Sequence, residues 1–170
     1  IELAAARTRS MSVQAIEERL GDRFRLLRGG RKGERHQTLR DAVGWSYDLL
    51  SAEEAALFDR LSVFSGGFTL EAAESICVDD VVDEFGVVDL LEALVDKWML
   101  VADLSDDGVR YRLLETMRQY AQEQLHGTGA AELFRDAHLR FYRELAVQLS
   151  TEFYSEREAH CWAQFDLEWD

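Results

Sequence analysis

The chain has 170 residues, 47% of them hydrophobic, enough to bury one or two cores, which excludes a disordered polypeptide. Its formal net charge of −14 argues against a general affinity for nucleic acid or anionic lipid, both of which need a cationic surface. The charge is uneven: residues 1–40 hold ten Lys or Arg against five Asp or Glu, and the remaining 130 hold nine against 28, so the two parts are expected to meet different neighbours.

In chain order, residues 1–8 read as the last turns of a helix. Ser12 then caps VQAIEERL, whose Val13, Ile16 and Leu20 recur at helical spacing. DRFRLLRGG alternates apolar and basic residues and is compatible with an extended segment, which Gly29, Gly30 and Gly33 break. A phosphate-binding loop needs Gly-Lys followed by Ser or Thr. Here the order is Lys32-Gly33-Glu34, so the segment reads as a basic linker.

From His36 to Leu50, Leu39, Val43, Tyr47 and Leu50 define a helix face, with Trp45 adding bulk. Ser51 and Glu54 fit a capping box for a helix carrying Leu57, Leu61 and Phe64, and Ser65-Gly66-Gly67 stops it. Thr69 caps the short helix LEAAESI, and DDVVDEFG is a solvated connector. A third helix carries Val87, Leu90, Leu91, Leu94 and Trp98, which makes Trp98 a candidate core residue. Met99 to Leu104 and Val109 to Leu113 flank Ser105-Asp106-Asp107-Gly108, a hairpin turn. ETMRQYAQEQL is again helical, with Met117, Tyr120, Ala121 and Leu125 inward. Beyond Ala130, Phe134, Ala137, Phe141, Leu145 and Leu149 form a long stripe. A further helix from about Ser155 carries Trp162, Phe165 and Trp169, so the pair is a small bundle or the first unit of a helical repeat.

Short helices running into a two-stranded hairpin and a further helix give the order of a winged-helix domain. The expected fold is therefore mainly α, a winged helix with a two-stranded wing followed by a helical hairpin. No catalytic constellation accompanies it. His36, His126, His138 and His160 are scattered without a ligand pattern, Cys77 and Cys161 match no zinc or redox spacing, and no nucleophile elbow occurs. No run of about 18 apolar residues marks a membrane span, and no signal peptide is visible. Ile1 falls inside IELAAAR and the last residues inside an amphipathic pattern, so a piece of a longer cytoplasmic protein is expected.

IELAAAR, RHQTLRDAVGWSYDLLS, LSVFSGGFTLEAAE, LVDKWMLV and RYRLLETMRQYAQEQL, in this order, resemble the segment after the ATPase core of bacterial STAND-type regulators, the AfsR-like and LuxR-type group. The resemblance implies that residues 1–34 end an ATPase helical lid and a basic linker, 35–128 form the winged helix, and 129–170 begin a tetratricopeptide-like array. It implies a regulatory adaptor, without catalysis of its own, that couples nucleotide state to a helical sensor and a transcriptional or cyclase output. The implied partners are the ATPase core of the same polypeptide and a protein or small-molecule signal at the repeat. ATP or ADP and magnesium would bind outside this chain.

Related ATPases carry Met-His-Asp where this chain reads Leu113-Leu114-Glu115. Leu114 cannot make the histidine's contact with bound ADP. Glu115 is left as either a residue near the nucleotide or a carboxylate at a helix start. The alternative function is a DNA-binding winged-helix transcription factor. Against it, the helix before the wing carries Asp89, Glu92 and Asp96 with Lys97 alone, the turn is Asp106-Asp107, and only Arg110 and Arg112 are basic nearby. Direct DNA binding is therefore not expected on sequence grounds.

Overall fold

The computed structural model describes residues 32–105 and 108–152. The expected helix near Ser12, the turn Asp106-Asp107 and the helix expected from Ser155 lie outside the described residues. Helix α1 spans Lys32–Tyr47. Of the face expected to pack, Val43 is buried, Tyr47 and Leu50 are half-buried, and Leu39 is exposed. Gly44 of α1 gives Tyr120 room: a Cβ there would stand 3.3 Å from the Tyr120 hydroxyl.

Helix α2, Ala52–Arg60, begins with the capping box the sequence announces. The Ser51 hydroxyl accepts the Glu54 amide at 3.1 Å, and the Glu54 carboxylate accepts the Ser51 amide at 2.7 Å. The α-helix ends sooner than the apolar stripe suggests. A 3₁₀ turn over Leu61–Val63 carries the chain on, and Phe64 is already extended. Thr69 caps α3, Leu70–Ile76, by accepting the Ala72 amide at 3.2 Å.

A connector containing the 3₁₀ turn Glu84–Gly86 leads to α4, Val87–Asp96. Strands β1, Val101–Ser105, and β2, Gly108–Arg112, pair antiparallel with Ala102 opposite Tyr111 and Leu104 opposite Val109. Phe68 adds a one-residue third strand, exchanging both backbone bonds with Tyr111 at 2.8 Å. Helix α5, Glu115–Thr128, buries Met117, Ala121 and Leu125. Gly127 falls inside it; Gly129, with φ of 77°, ends it in the left-handed conformation that glycine adopts without strain. Helix α6, Ala131–Glu152, follows.

One apolar core joins these elements. It takes Leu57, Phe58 and Leu61 from around α2, Ala72, Ala73 and Ile76 from α3, Val87, Leu91 and Leu94 from α4, and Met117 and Ala121 from α5. Each is almost fully removed from water, which favours folding by about 25 cal/mol per Å² of apolar surface. The order helix, bridge strand, helix, helix, hairpin is that of a winged helix, with β1–β2 as the wing.

The expected core position of Trp98 is corrected. Helix α4 stops at Asp96, and Trp98 takes a φ of 59° with 51% of its surface exposed. The Met99 amide reaches the Leu94 carbonyl at 2.9 Å and the Trp98 amide reaches Val95 at 2.9 Å, a Schellman ending. Met99, two residues past the helix cap, then takes the buried place against Leu94 that the helical period assigns to Trp98.

Candidate nucleic-acid interface

Helices α3 and α4 with the wing form the candidate interface. The two helices are joined by residues 77–86, longer than the three or four residues of a tight helix-turn-helix. That length is tied down internally. The Asp79 carboxylate accepts the Val81 and Val82 amides at 2.8 and 3.1 Å, and Arg60 donates to Asp79 at 2.7 Å and to the Cys77 carbonyl at 2.8 Å. Although burial works the other way, these amides and the guanidinium hold the Asp79 carboxyl below its ordinary range. The Arg60 guanidinium also lies over the Phe134 ring, 4.9 Å from its centroid, so one buried cation links α2, the connector and α6.

Helix α4 turns Val87, Leu91 and Leu94 into the core and leaves Val88, Asp89 and Glu92 outward, with Phe85 just before it 86% exposed. Its far end is anchored by an ion pair between Lys97 and Glu54 at the start of α2. Burial pushes the Glu54 carboxyl up, but bonds from Lys97 and the Ser51 amide outweigh it and leave the group below its usual range.

On the wing, Arg112 pairs with Asp103 at 2.8 Å, and Arg110 donates to the Gly67 carbonyl at 2.8 Å, which fastens the hairpin root to the loop before α3. Leu104 is 83% exposed beside its cross-strand partner Val109. The basic groups the sequence singles out are thus partly committed: Lys97 to Glu54, Arg112 to Asp103 and Arg110 to a backbone carbonyl.

Glu115 opens α5. Arg118 donates to both its oxygens at 2.9 Å and Gln119 to one at 2.6 Å, and these bonds lower its carboxyl from the ordinary range. Both oxygens are engaged by its own helix, as a helix-start carboxylate would be. Leu114 caps the helix through its backbone only and is 44% exposed. Among the described residues, no group of three His, Cys, Asp or Glu could hold a metal ion, and no helix is long and apolar enough to cross a membrane.

Sequence reasoning missed two buried groups. Arg60 and Asp59 both stand in α2 as helix-surface charges by pattern, yet both are buried. The one available signal was the pairing of Arg60 with an acid 19 residues away, which helical periodicity does not carry.

Residues 50–126 match the family described as a winged helix-turn-helix domain. The chain is 47% identical over 153 residues, 89% of its length, to a protein of Mycobacterium tuberculosis named as an HTH-type transcriptional regulator, and equally to one of that name in Mycobacterium bovis. It is 43% identical over 147 residues to an uncharacterized protein of Mycobacterium tuberculosis. It spans 17% of the length of the named regulators and 36% of the uncharacterized protein. No solved structure matches.

These findings overturn two expectations. The adaptor of a STAND-type ATPase gives way to a winged helix-turn-helix domain with relatives named as transcriptional regulators, and nothing in the matches singles out STAND, AfsR-like or LuxR-type proteins. The expectation that DNA is not a partner falls with it, because that domain and those names point to direct DNA binding. The error lay in letting the acidic count on α4 outweigh the topology. Phosphate contacts need cations somewhere on the protein, and the helix that faces the bases is not obliged to supply them.

Proposed function

We propose that this chain contains the DNA-binding winged helix of a transcriptional regulator. The observation that carries the reading is the element order: α2, the Phe68 bridge, α3, α4 and the β1–β2 wing, with one whole side of α4 left outside the core. The family match over residues 50–126 and the names of the relatives support it.

In this reading α4 enters the major groove and the wing lies along the backbone. Val88 offers apolar contact to a thymine methyl, and Asp89 and Glu92 accept hydrogen bonds from cytosine amino groups. Carboxylates on the reading helix repel phosphates, so affinity must come from cations elsewhere in the chain. Arg112 on the wing is one, 46% exposed at its side chain, and the sequence of residues 1–40 contains ten more Lys and Arg, of which Arg40 is paired with Glu123. The same proposal assigns the chain no catalytic step and no bound cofactor, a cytoplasmic location, and in residues 129–170 the opening of a helical array behind the winged helix.

Selection of duplexes from a random library by the chain, followed by titration, tests this. The expected result is a selected sequence bound about 10³-fold or more tighter than unselected duplex at physiological salt. Selected and unselected duplexes bound alike, at roughly 10⁻⁴–10⁻⁶ M, would remove the DNA-reading function.

A further inference from the structure

Helix α1 precedes the segment that matches the winged helix-turn-helix family, and it packs chiefly on α5. Among its described residues, Val43 and Ser46 are buried. The rest of the core, with Leu57, Phe58, Leu61, Leu91 and Leu94 at its centre, comes from the elements that follow. Helix α1 can therefore leave without dismantling the winged helix.

Three contacts hold it down. Arg40 pairs with Glu123 on α5, the Tyr47 ring packs on Tyr120, and the Tyr47 hydroxyl donates to Asp59 on α2 at 2.9 Å. The last contact ends on a residue only 6% exposed, whose second carboxyl oxygen has no hydrogen-bond partner among the described residues. A neutral carboxyl tolerates that place, whereas a carboxylate there lacks both water and a bound cation. The described titratable groups around Asp59 are Tyr47 on α1, Tyr120 on α5 and Arg60 beside it on α2; Asp48 acts on both tyrosines, and Arg40 and Glu123 act on Tyr120. Arg60 is committed to Asp79 and the Cys77 carbonyl, and Lys97, just beyond α4, to Glu54 at the other end of α2.

We propose that Asp59 is a proton-operated latch for α1: with its buried carboxyl neutral, α1 stays docked on α2 and α5, and when the proton leaves, α1 swings away and water reaches the carboxylate. Such opening is a local alternative to unfolding the whole domain. Burial raises the docked carboxyl from 3.8 to about 7, and opening returns it to the ordinary range. Between those values the open form has lost its proton while the docked form keeps it, so each rise in pH favours opening. From pH 5 to pH 8 the ratio of open to docked grows about 10²-fold. The latch involves no contact of α4 and holds whether or not α4 reads DNA.

Hydrogen–deuterium exchange of the whole chain, at pH 5 and pH 8 and corrected for the intrinsic pH dependence of exchange, tests this. Protection of the amides of residues 39–47 on α1 should fall at least about 30-fold relative to that of α4. In Asp59→Asn the relative fall should be about threefold or less. His36 also stands on α1, and this variant leaves it in place. A pH response that persists in Asp59→Asn therefore belongs to another group and overturns the proposal. Tyr47→Phe removes the hydroxyl and keeps the carboxyl, so α1 should be less protected at both pH values and retain its pH response. Loss of the response in Tyr47→Phe, or α1 and α4 losing protection in step in the wild type, would equally overturn it. These two readings do not depend on how well the asparagine variant folds.

Discussion

The Tyr47 hydroxyl donates to one carboxylate oxygen of Asp59 at 2.9 Å, while the other oxygen is buried without a hydrogen-bond partner among the described residues. This single bond ties α1 to α2 beneath Tyr120, whose ring packs against Tyr47 at 5.4 Å. Burial drives the Asp59 carboxyl from its ordinary 3.8 to about 7, against the lowering effects of Tyr47 and Arg60. Burial and the nearby carboxylate likewise raise the Tyr47 hydroxyl.

A raised folded-state pKa on an acid makes stability fall as pH rises. Between about 4 and 7 the unfolded chain has lost the Asp59 proton while the folded chain still holds it, so each step up in pH favours unfolding; above 7 both states are ionised and the loss is complete. Asp59→Asn keeps an acceptor for Tyr47 and cannot ionise. It should match wild type at pH 4 and exceed it at pH 8 by roughly 2–4 kcal/mol, the cost of ionising a carboxyl that burial raises from 3.8 to about 7. Urea titrations at both pH values measure this. His138, whose pKa burial lowers, pushes wild type and variant alike and cancels in the comparison. A wild-type minus variant difference that stays constant across the range would show that Asp59 does not titrate there.

Arg60 should be the most sensitive charged position. Its side chain is 7% exposed, and it satisfies the Cys77 carbonyl and Asp79 while covering Phe134. Arg60→Ala should cost about 2–4 kcal/mol, the sum expected for a lost charged hydrogen bond and a carbonyl left unpaired. Arg60→Lys should recover only part of it, because an ammonium cannot span both acceptors in one plane. Thermal melts of the two variants order them, and a lysine variant equal to wild type would mean that charge alone matters at this site.

Trp98 offers the opposite expectation. A core tryptophan truncated to alanine costs about 3–5 kcal/mol. Here the residue is half outside and sits in left-handed backbone, which costs a side chain roughly 1–2 kcal/mol. Trp98→Ala should cost about 1 kcal/mol or less, and Trp98→Gly should be more stable than Trp98→Ala by about 1 kcal/mol. A glycine variant less stable than the alanine variant would contradict the backbone conformation.

The elements that local chemistry specifies were legible. Ser51 with Glu54, Thr69, and the hairpin around the turn before Gly108 each announce themselves within a few residues, and α5 repeats Met117, Ala121 and Leu125 over its whole length. Trp98 was misplaced because it lies four residues after Leu94, in phase with the buried stripe. The usual signal for a helix ending of this kind, a glycine, is absent, so periodicity ran on through it. The Phe68 bridge and the Arg60 contacts depend on residues 17 to 74 positions away, which no window of helical or strand pattern reaches. The helix before the wing was singled out in the sequence as the element a DNA reader would place in the groove, and DNA was then set aside on its charge; counting charges on α4 says how phosphates feel that helix but not what groups on its outer side could accept from a base edge.

That distinction leads to the prediction for DNA itself. Arg112 is on the wing and Glu92 on the outward side of α4, so one should act on phosphate and the other on bases. Arg112→Ala should weaken binding to the selected and to unrelated duplexes alike, and lower the slope of log affinity against log salt by about 0.9, one counterion's worth. Asp103, released from its pair with Arg112, should add to that loss by repelling the backbone. Glu92→Ala should instead leave the salt slope unchanged or steepen it slightly, and relax discrimination at a single base pair by about 1–3 kcal/mol. Titrations of both variants at several salt concentrations against the selected site and its point mutants separate the two effects. If Glu92→Ala binds all duplexes more tightly by the same factor, the glutamate acts on this surface only as a repulsive charge and carries no sequence information.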